Sequence, residues 1–140
     1  SLKKKKNLLK EIMSKLINKK NFYGWTNVYF TPVYARTLID IAHYLESIDK
    51  YGVFNVSCDD PISKYTFASI ITKKFSLNKS YLKKSLLSTE VYTKRPLNMS
   101  LNNSKIKKVM PRIKNKLQLK KQVNDLKNDR IKFMRVFRNV

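Results

Sequence analysis

The sequence predicts a small mixed α/β fold in which several helices pack around a few short strands, with no Rossmann nucleotide-binding sheet. Three observations lead there. Apolar residues recur at helical spacing from Leu8 onward, β-prone residues follow a glycine at Val53-Phe54-Asn55-Val56, and the chain holds only two glycines, Gly24 and Gly52, in 140 residues. A dinucleotide-binding loop needs several glycines close together, so that backbone N–H groups can approach a pyrophosphate at a helix N-terminus.

The elements follow in order. Leu8, Leu9, Ile12, Met13, Leu16 and Ile17 fall on one helical face, with Lys10, Glu11, Lys15 and Asn18 toward water. Residues 21–30, rich in aromatics and containing Gly24, read as a turn and an extended segment leading to Pro32, which biases Thr31 away from helix. A second helix is expected to begin near Thr37, whose hydroxyl can cap it, with Leu38, Ile41, Ala42 and Leu45 as the buried stripe. Residues 53–56 are the clearest strand in the chain. Pro61 forces a turn, Ser63 offers a helix cap, and Phe67, Ile70, Ile71 and Phe75 give a third helix its apolar face. Residues 79–88 are compatible with a helical turn followed by a short strand, and Lys94-Arg95-Pro96 must be irregular or extended. Residues 103–108 read as a short helix. After Pro111, a pattern of Leu117, Leu119, Val123, Leu126, Ile131 and Met134 predicts a C-terminal helix with a basic outer face.

The hydrophobic content of 42% suffices for one small core. No apolar run approaches the roughly 20 residues needed to cross a bilayer, so no membrane partner is expected. A lone cysteine, Cys58, excludes an internal disulfide framework and agrees with a cytoplasmic location. The net charge of +22 implies nonspecific attraction to polyanions. Lysine far outnumbers arginine and is spread along the whole chain, which compositional bias produces without any binding site. Metal chemistry has no ligand-spaced cluster: His43 reads as a surface or packing residue, and Asp59-Asp60 before Pro61 as a solvated turn.

Three segments, taken in order, carry a family resemblance. They are Asn27-Val28-Tyr29-Phe30-Thr31-Pro32-Val33-Tyr34 before a helix, then Gly52-Val53-Phe54-Asn55-Val56-Ser57 with Ile62-Ser63-Lys64-Tyr65-Thr66-Phe67-Ala68, and last Lys94-Arg95-Pro96-Leu97-Asn98-Met99-Ser100-Leu101-Asn102-Asn103-Ser104-Lys105-Ile106. This order resembles the C-terminal half of the dTDP-4-dehydrorhamnose reductase family, within the extended short-chain dehydrogenase/reductase superfamily. The resemblance implies that residues 1–110 form a substrate-binding lobe and 111–140 a basic C-terminal helical segment. It also implies a nucleotide-diphosphate sugar as ligand, with Arg95 near the diphosphate and Thr31, Tyr34 and Asn98 near the same pocket.

Two departures replace acids of the family pattern at helix starts, with Thr37 and Thr66 standing in their positions. The family's glycine loop is missing, and none of the eight tyrosines has a lysine four residues on, the pair that activates the family's catalytic phenol. The chain is therefore expected to hold no catalytic residue and no cofactor, NAD(P) being implied for the complete enzyme. It is expected to be a fragment, a split-gene product or a remnant that works with a separate Rossmann domain or as a homo-oligomer. Rival readings are a basic nucleic-acid-binding module and a non-catalytic assembly subunit.

Overall fold

A computed structural model describes residues 7–88 and 96–138, with side chains as far as residue 131. The fold is mixed α/β with short strands. It divides into two compact units interleaved in sequence: Ser1–Tyr29 with Ile62–Met99, and Phe30–Pro61 with Ser100–Val140.

In the first unit, helix α1 spans Leu8–Ile17. Asn7 caps it by accepting the Leu9 N–H at 2.9 Å, and Glu11 and Lys15 pair along its surface at 3.1 Å. Of the predicted apolar face, Ile12 and Leu16 are buried, whereas Ile17 lies at the exposed C-terminal end. Strand β1 (Phe22–Trp25) pairs in parallel with β4 (Leu82–Ser85), Phe22 opposite Leu82 and Trp25 opposite Ser85. Helix α3 (Lys64–Lys74) packs on both strands and on α1, burying Phe67, Ala68 and Ile71. Its cap is the predicted one, since Ser63 Oγ accepts the Thr66 N–H at 3.0 Å. A 3-10 turn at Lys79–Tyr81 delivers the chain into β4, in agreement with the turn-and-strand reading of that stretch. A second sheet orders the two-residue strands β3 (Ile62–Ser63), β2 (Tyr29–Phe30) and β5 (Asn98–Met99). Around Tyr29 its hydrogen bonds run from Tyr29 N–H to Leu97 O and from Lys64 N–H to Val28 O.

The second unit contains α2 (Ala35–Ser47), α4 (Ser104–Val109), α5 (Lys114–Leu117) and α6 (Leu119–Arg138). Its core is Ile41, Ile106, Ile113 and Leu117, joined by the partly buried Leu45, Phe54, Val56 and Met110.

Two expectations are corrected in this unit. Helix α2 begins two residues before Thr37, so Thr37 is not a cap. It is buried in the stripe with Ile41, while Leu38 is 44% exposed and Ala42 is exposed. The earlier start lets Thr37, Ile41 and Leu45, four residues apart, face the core together. Residues 53–56 form no strand ladder among the described residues. Their burial alternates as a strand's does, but a ladder needs a second strand at the edge.

Gly24 has no room for a side chain. A Cβ there would lie 2.7 Å from the Tyr65 Cα, and backbone cannot move aside as a flexible side chain can. Gly24→Ala is expected to lower unfolding stability by about 1–3 kcal/mol, measured by urea denaturation, through overpacking of β1 against α3. An unchanged midpoint would show that the two elements are not tightly seated.

Candidate functional site

Residues 31–34 form an irregular segment, extended at Tyr34, whose polar groups reach several other segments of the second unit. Thr31 precedes a proline and is held out of helix; its Oγ1 accepts the Leu101 N–H at 3.0 Å. The Pro32 carbonyl accepts the Cys58 N–H at 3.0 Å. Tyr34 donates its backbone N–H to Gln122 Oε1 at 2.6 Å and its hydroxyl to Asp129 Oδ2 at 3.0 Å. The other Asp129 oxygen receives the Arg36 guanidinium, and buried Gln122 donates on to the Leu117 carbonyl at 3.2 Å. Burial raises the Tyr34 phenol above its usual range, and the Asp129 hydrogen bond and charge raise it further, so this hydroxyl stays protonated at neutral pH.

A second cluster lies at residues 57–59. Asn103, buried, donates from Nδ2 to the Ser57 carbonyl at 3.1 Å and to Asp59 Oδ1 at 3.0 Å, and Lys107 pairs with that oxygen at 2.6 Å. Asp59 is thus an anchor between chain segments, with its charge met by a lysine. The Cys58 thiol is buried and donates to the Asp60 carbonyl at 3.4 Å. Burial pushes its pKa up to about 11, with Asp59 and Asp60 adding to the effect.

Of the four residues expected near a substrate, Thr31 and Tyr34 share this segment in the second unit. Asn98 lies on β5 in the first unit, and Arg95 falls outside the described residues. A cleft of about 470 Å³ in the second unit, walled by Ile41, Tyr44, Met110 and Ile113 with Arg112 and Lys116 at its polar side, includes neither Thr31, Tyr34 nor Asn98. Sequence reasoning missed Gln122 and Asp129, which bind Tyr34. They lie on a helix outside the resemblance, and nothing local marks them.

Among the described residues no group of three or more His, Cys, Asp or Glu is placed to hold a metal ion. His43 is exposed on α2. Neither glycine opens a helix as a pyrophosphate loop requires: Gly24 is pressed against Tyr65 within a strand, and Gly52 makes a turn with φ of +118°. Neither glycine therefore supplies a helix-opening loop of the kind that cradles a pyrophosphate. No described helix is long and apolar enough to cross a membrane.

Neither a protein-family model nor a curated protein matches the sequence. Solved structures do match the fold. A hypothetical dTDP-4-dehydrorhamnose reductase from Sulfolobus tokodaii is similar with a TM-score of 0.63 and 26% identity, over 75% of this chain and 37% of that one. The dTDP-4-dehydrorhamnose reductase of Bacillus anthracis strain Ames, solved in complex with NADP, is similar at 0.63 and 18% identity, over 77% and 38%. A dTDP-4-dehydrorhamnose reductase from Clostridium acetobutylicum ATCC 824 reaches 0.65 and 20%, over 89% and 45%. The chain thus spans less than half the length of each of these proteins.

The buried thiol yields a measurable consequence. With its pKa moved from 9.0 to about 11, the Cys58 thiolate is about a hundredfold scarcer at pH 8 than in an unfolded chain. Alkylation by iodoacetamide at pH 8 is expected to be slower in the folded protein by at least that factor. Because the folded pKa is the higher one, the stabilisation is complete below pH 9 and is lost as pH rises toward 11. Rapid alkylation of native protein would show that Cys58 is not buried as described.

Proposed function

We propose that the chain is the sugar-nucleotide-binding, C-terminal part of a dTDP-4-dehydrorhamnose reductase-like enzyme and does not catalyse by itself. One observation carries the reading. The same family emerges from two directions, the order of three sequence motifs and the likeness of the fold to solved reductases.

In this reading residues 1–110 bind the nucleotide-diphosphate sugar, and 111–140 form a basic helical segment that braces the lobe through Gln122 and Asp129. Arg95 holds diphosphate oxygens with its guanidinium fork, and Pro96 stiffens the loop that presents it. The resemblance adds Thr31, Tyr34 and Asn98 to the residues that bind the sugar nucleotide. Tyr34 contributes its ring, since Asp129 engages its hydroxyl. Thr31 contributes position, because its bond to Leu101 fixes the chain shortly after Asn98. NAD(P) belongs to the complete enzyme, is held by a separate domain, and supplies the hydride for a keto carbon of the sugar. A cytoplasmic location suits such an enzyme. The charge of +22 adds a salt-dependent attraction to polyanions that is independent of the pocket.

The test is calorimetry with dTDP. A hydrogen bond to a charged group contributes about 1.5–3 kcal/mol, so Arg95→Ala is expected to weaken binding about ten- to a hundredfold. Lys10→Ala, which removes an equal charge from the exposed side of α1, is the control and should change affinity little. Equal losses in both variants would reduce the binding to diffuse electrostatics and remove Arg95 from the site.

A further inference from the structure

Beside its core the second unit holds a cleft of about 470 Å³, within the range of about 300–1,000 Å³ common for small-molecule sites. Much of the lining is apolar. Ile41 of α2 and Ile113 are almost fully buried, and Met110 packs against the same cluster. The chain changes direction here because Pro111, which has no N–H to continue a helix, follows α4 and opens a 3-10 turn, Pro111–Ile113, that leads into α5.

The rest of the lining is polar. Lys116 pairs with Asp40 at 3.6 Å, so these two charges offset each other. Arg112 is exposed and makes no hydrogen bond or ion pair with the described residues. The Tyr44 hydroxyl has no partner among them either, since Ser47 donates to the Tyr44 backbone carbonyl. A guanidinium fork and a phenolic donor thus border an apolar surface, and the lining carries two cations against one carboxylate. A guanidinium holds both oxygens of a carboxylate through parallel N–H bonds, and the surplus of a single charge matches a monoanion.

We propose that this cleft binds a small monocarboxylic acid with an apolar body, its carboxylate held by Arg112 and the Tyr44 hydroxyl and its body against Ile41, Met110 and Ile113. An inorganic anion gains nothing from the apolar wall, and an uncharged apolar molecule leaves Arg112 unmatched. Only a ligand with both parts uses the whole lining. None of this requires the sugar-nucleotide reading, and neither Thr31, Tyr34 nor Asn98 lines the cleft.

The test is a titration of the isotope-labelled full chain, followed by NMR, with hydrocinnamate as the probe, a carboxylate joined to a phenyl ring by a short arm. Saturable shifts are expected at Ile41, Tyr44, Met110 and Ile113, with a dissociation constant on the order of 1 mM. Hydrocinnamamide, which lacks the charge, and acetate, which lacks the apolar body, should each bind at least about tenfold more weakly. Arg112→Gln, at an exposed position, should weaken hydrocinnamate binding about tenfold. Lys114→Gln, which removes an equal charge from an exposed residue outside the lining, should change it little. Hydrocinnamate that shifts none of the cleft residues would overturn the proposal. So would equal losses in the two variants, or acetate or the amide binding as tightly as the acid. A final titration adds dTDP to the chain with hydrocinnamate bound. If hydrocinnamate stays in place the cleft is a site of its own, as proposed, whereas its displacement by dTDP would give the cleft to the nucleotide and overturn the assignment.

Discussion

The segment at residues 31–34 directs its polar groups to several separate stretches of the second unit. Its threonine hydroxyl takes the Leu101 amide, its proline carbonyl the Cys58 amide, and its tyrosine gives two hydrogen bonds to α6. Loss of one such bond leaves a partly buried polar group without a partner, which costs about 1–3 kcal/mol. The apolar cluster of Ile41, Ile106, Ile113 and Leu117 in this unit is small, so order in its loops depends on these directional contacts. Asn103 does similar work for residues 57–59, tying the start of α4 to a segment more than forty positions earlier.

The first unit relies on close approach instead. A parallel pair of four-residue strands, β1 and β4, is bridged by α3, and the absence of a side chain at Gly24 lets the helix backbone come within contact. Lysines contribute here in a way that net charge conceals. Lys64 sits 4.5 Å from the Trp25 ring centre and Lys84 5.5 Å from that of Tyr65. These ammonium groups cover aromatic rings while their stems lie along apolar surface. Part of the +22 charge is therefore built into the fold, and it is not all available to a polyanion.

Local signals in the sequence were readable where the physics is local. The Ser63 cap, the Ile12 and Leu16 stripe, the strand after the turn at residue 79 and the short helix after Asn103 all follow from contacts within a few residues. Helix ends were harder. Helices α1, α2 and α3 close through Lys19, Asp49 and Ser76 at positive φ, where glycine would have marked the stop. The phase of α2 depended on a start two residues early, set by Tyr34 and its partners on α6. Residues 53–56 read as a strand because their side chains alternate, yet pairing depends on a second strand that no pattern within the segment can specify. In the segment at residues 31–34, Thr31 and Tyr34 were singled out by their motif. Gln122 and Asp129 were not, because their contacts arise only when α6 folds back onto that segment.

The proposed function requires a chain with a reductase-like fold to keep a specific place for a nucleotide diphosphate. The most direct measurement is a titration of the nitrogen-15-labelled chain with dTDP, followed by NMR at two salt concentrations. The account predicts chemical-shift changes concentrated at Thr31, Arg95 and Asn98 that persist at the higher salt. Small changes spread over the lysine-rich surfaces of α1 and α6, fading as salt rises, would contradict it.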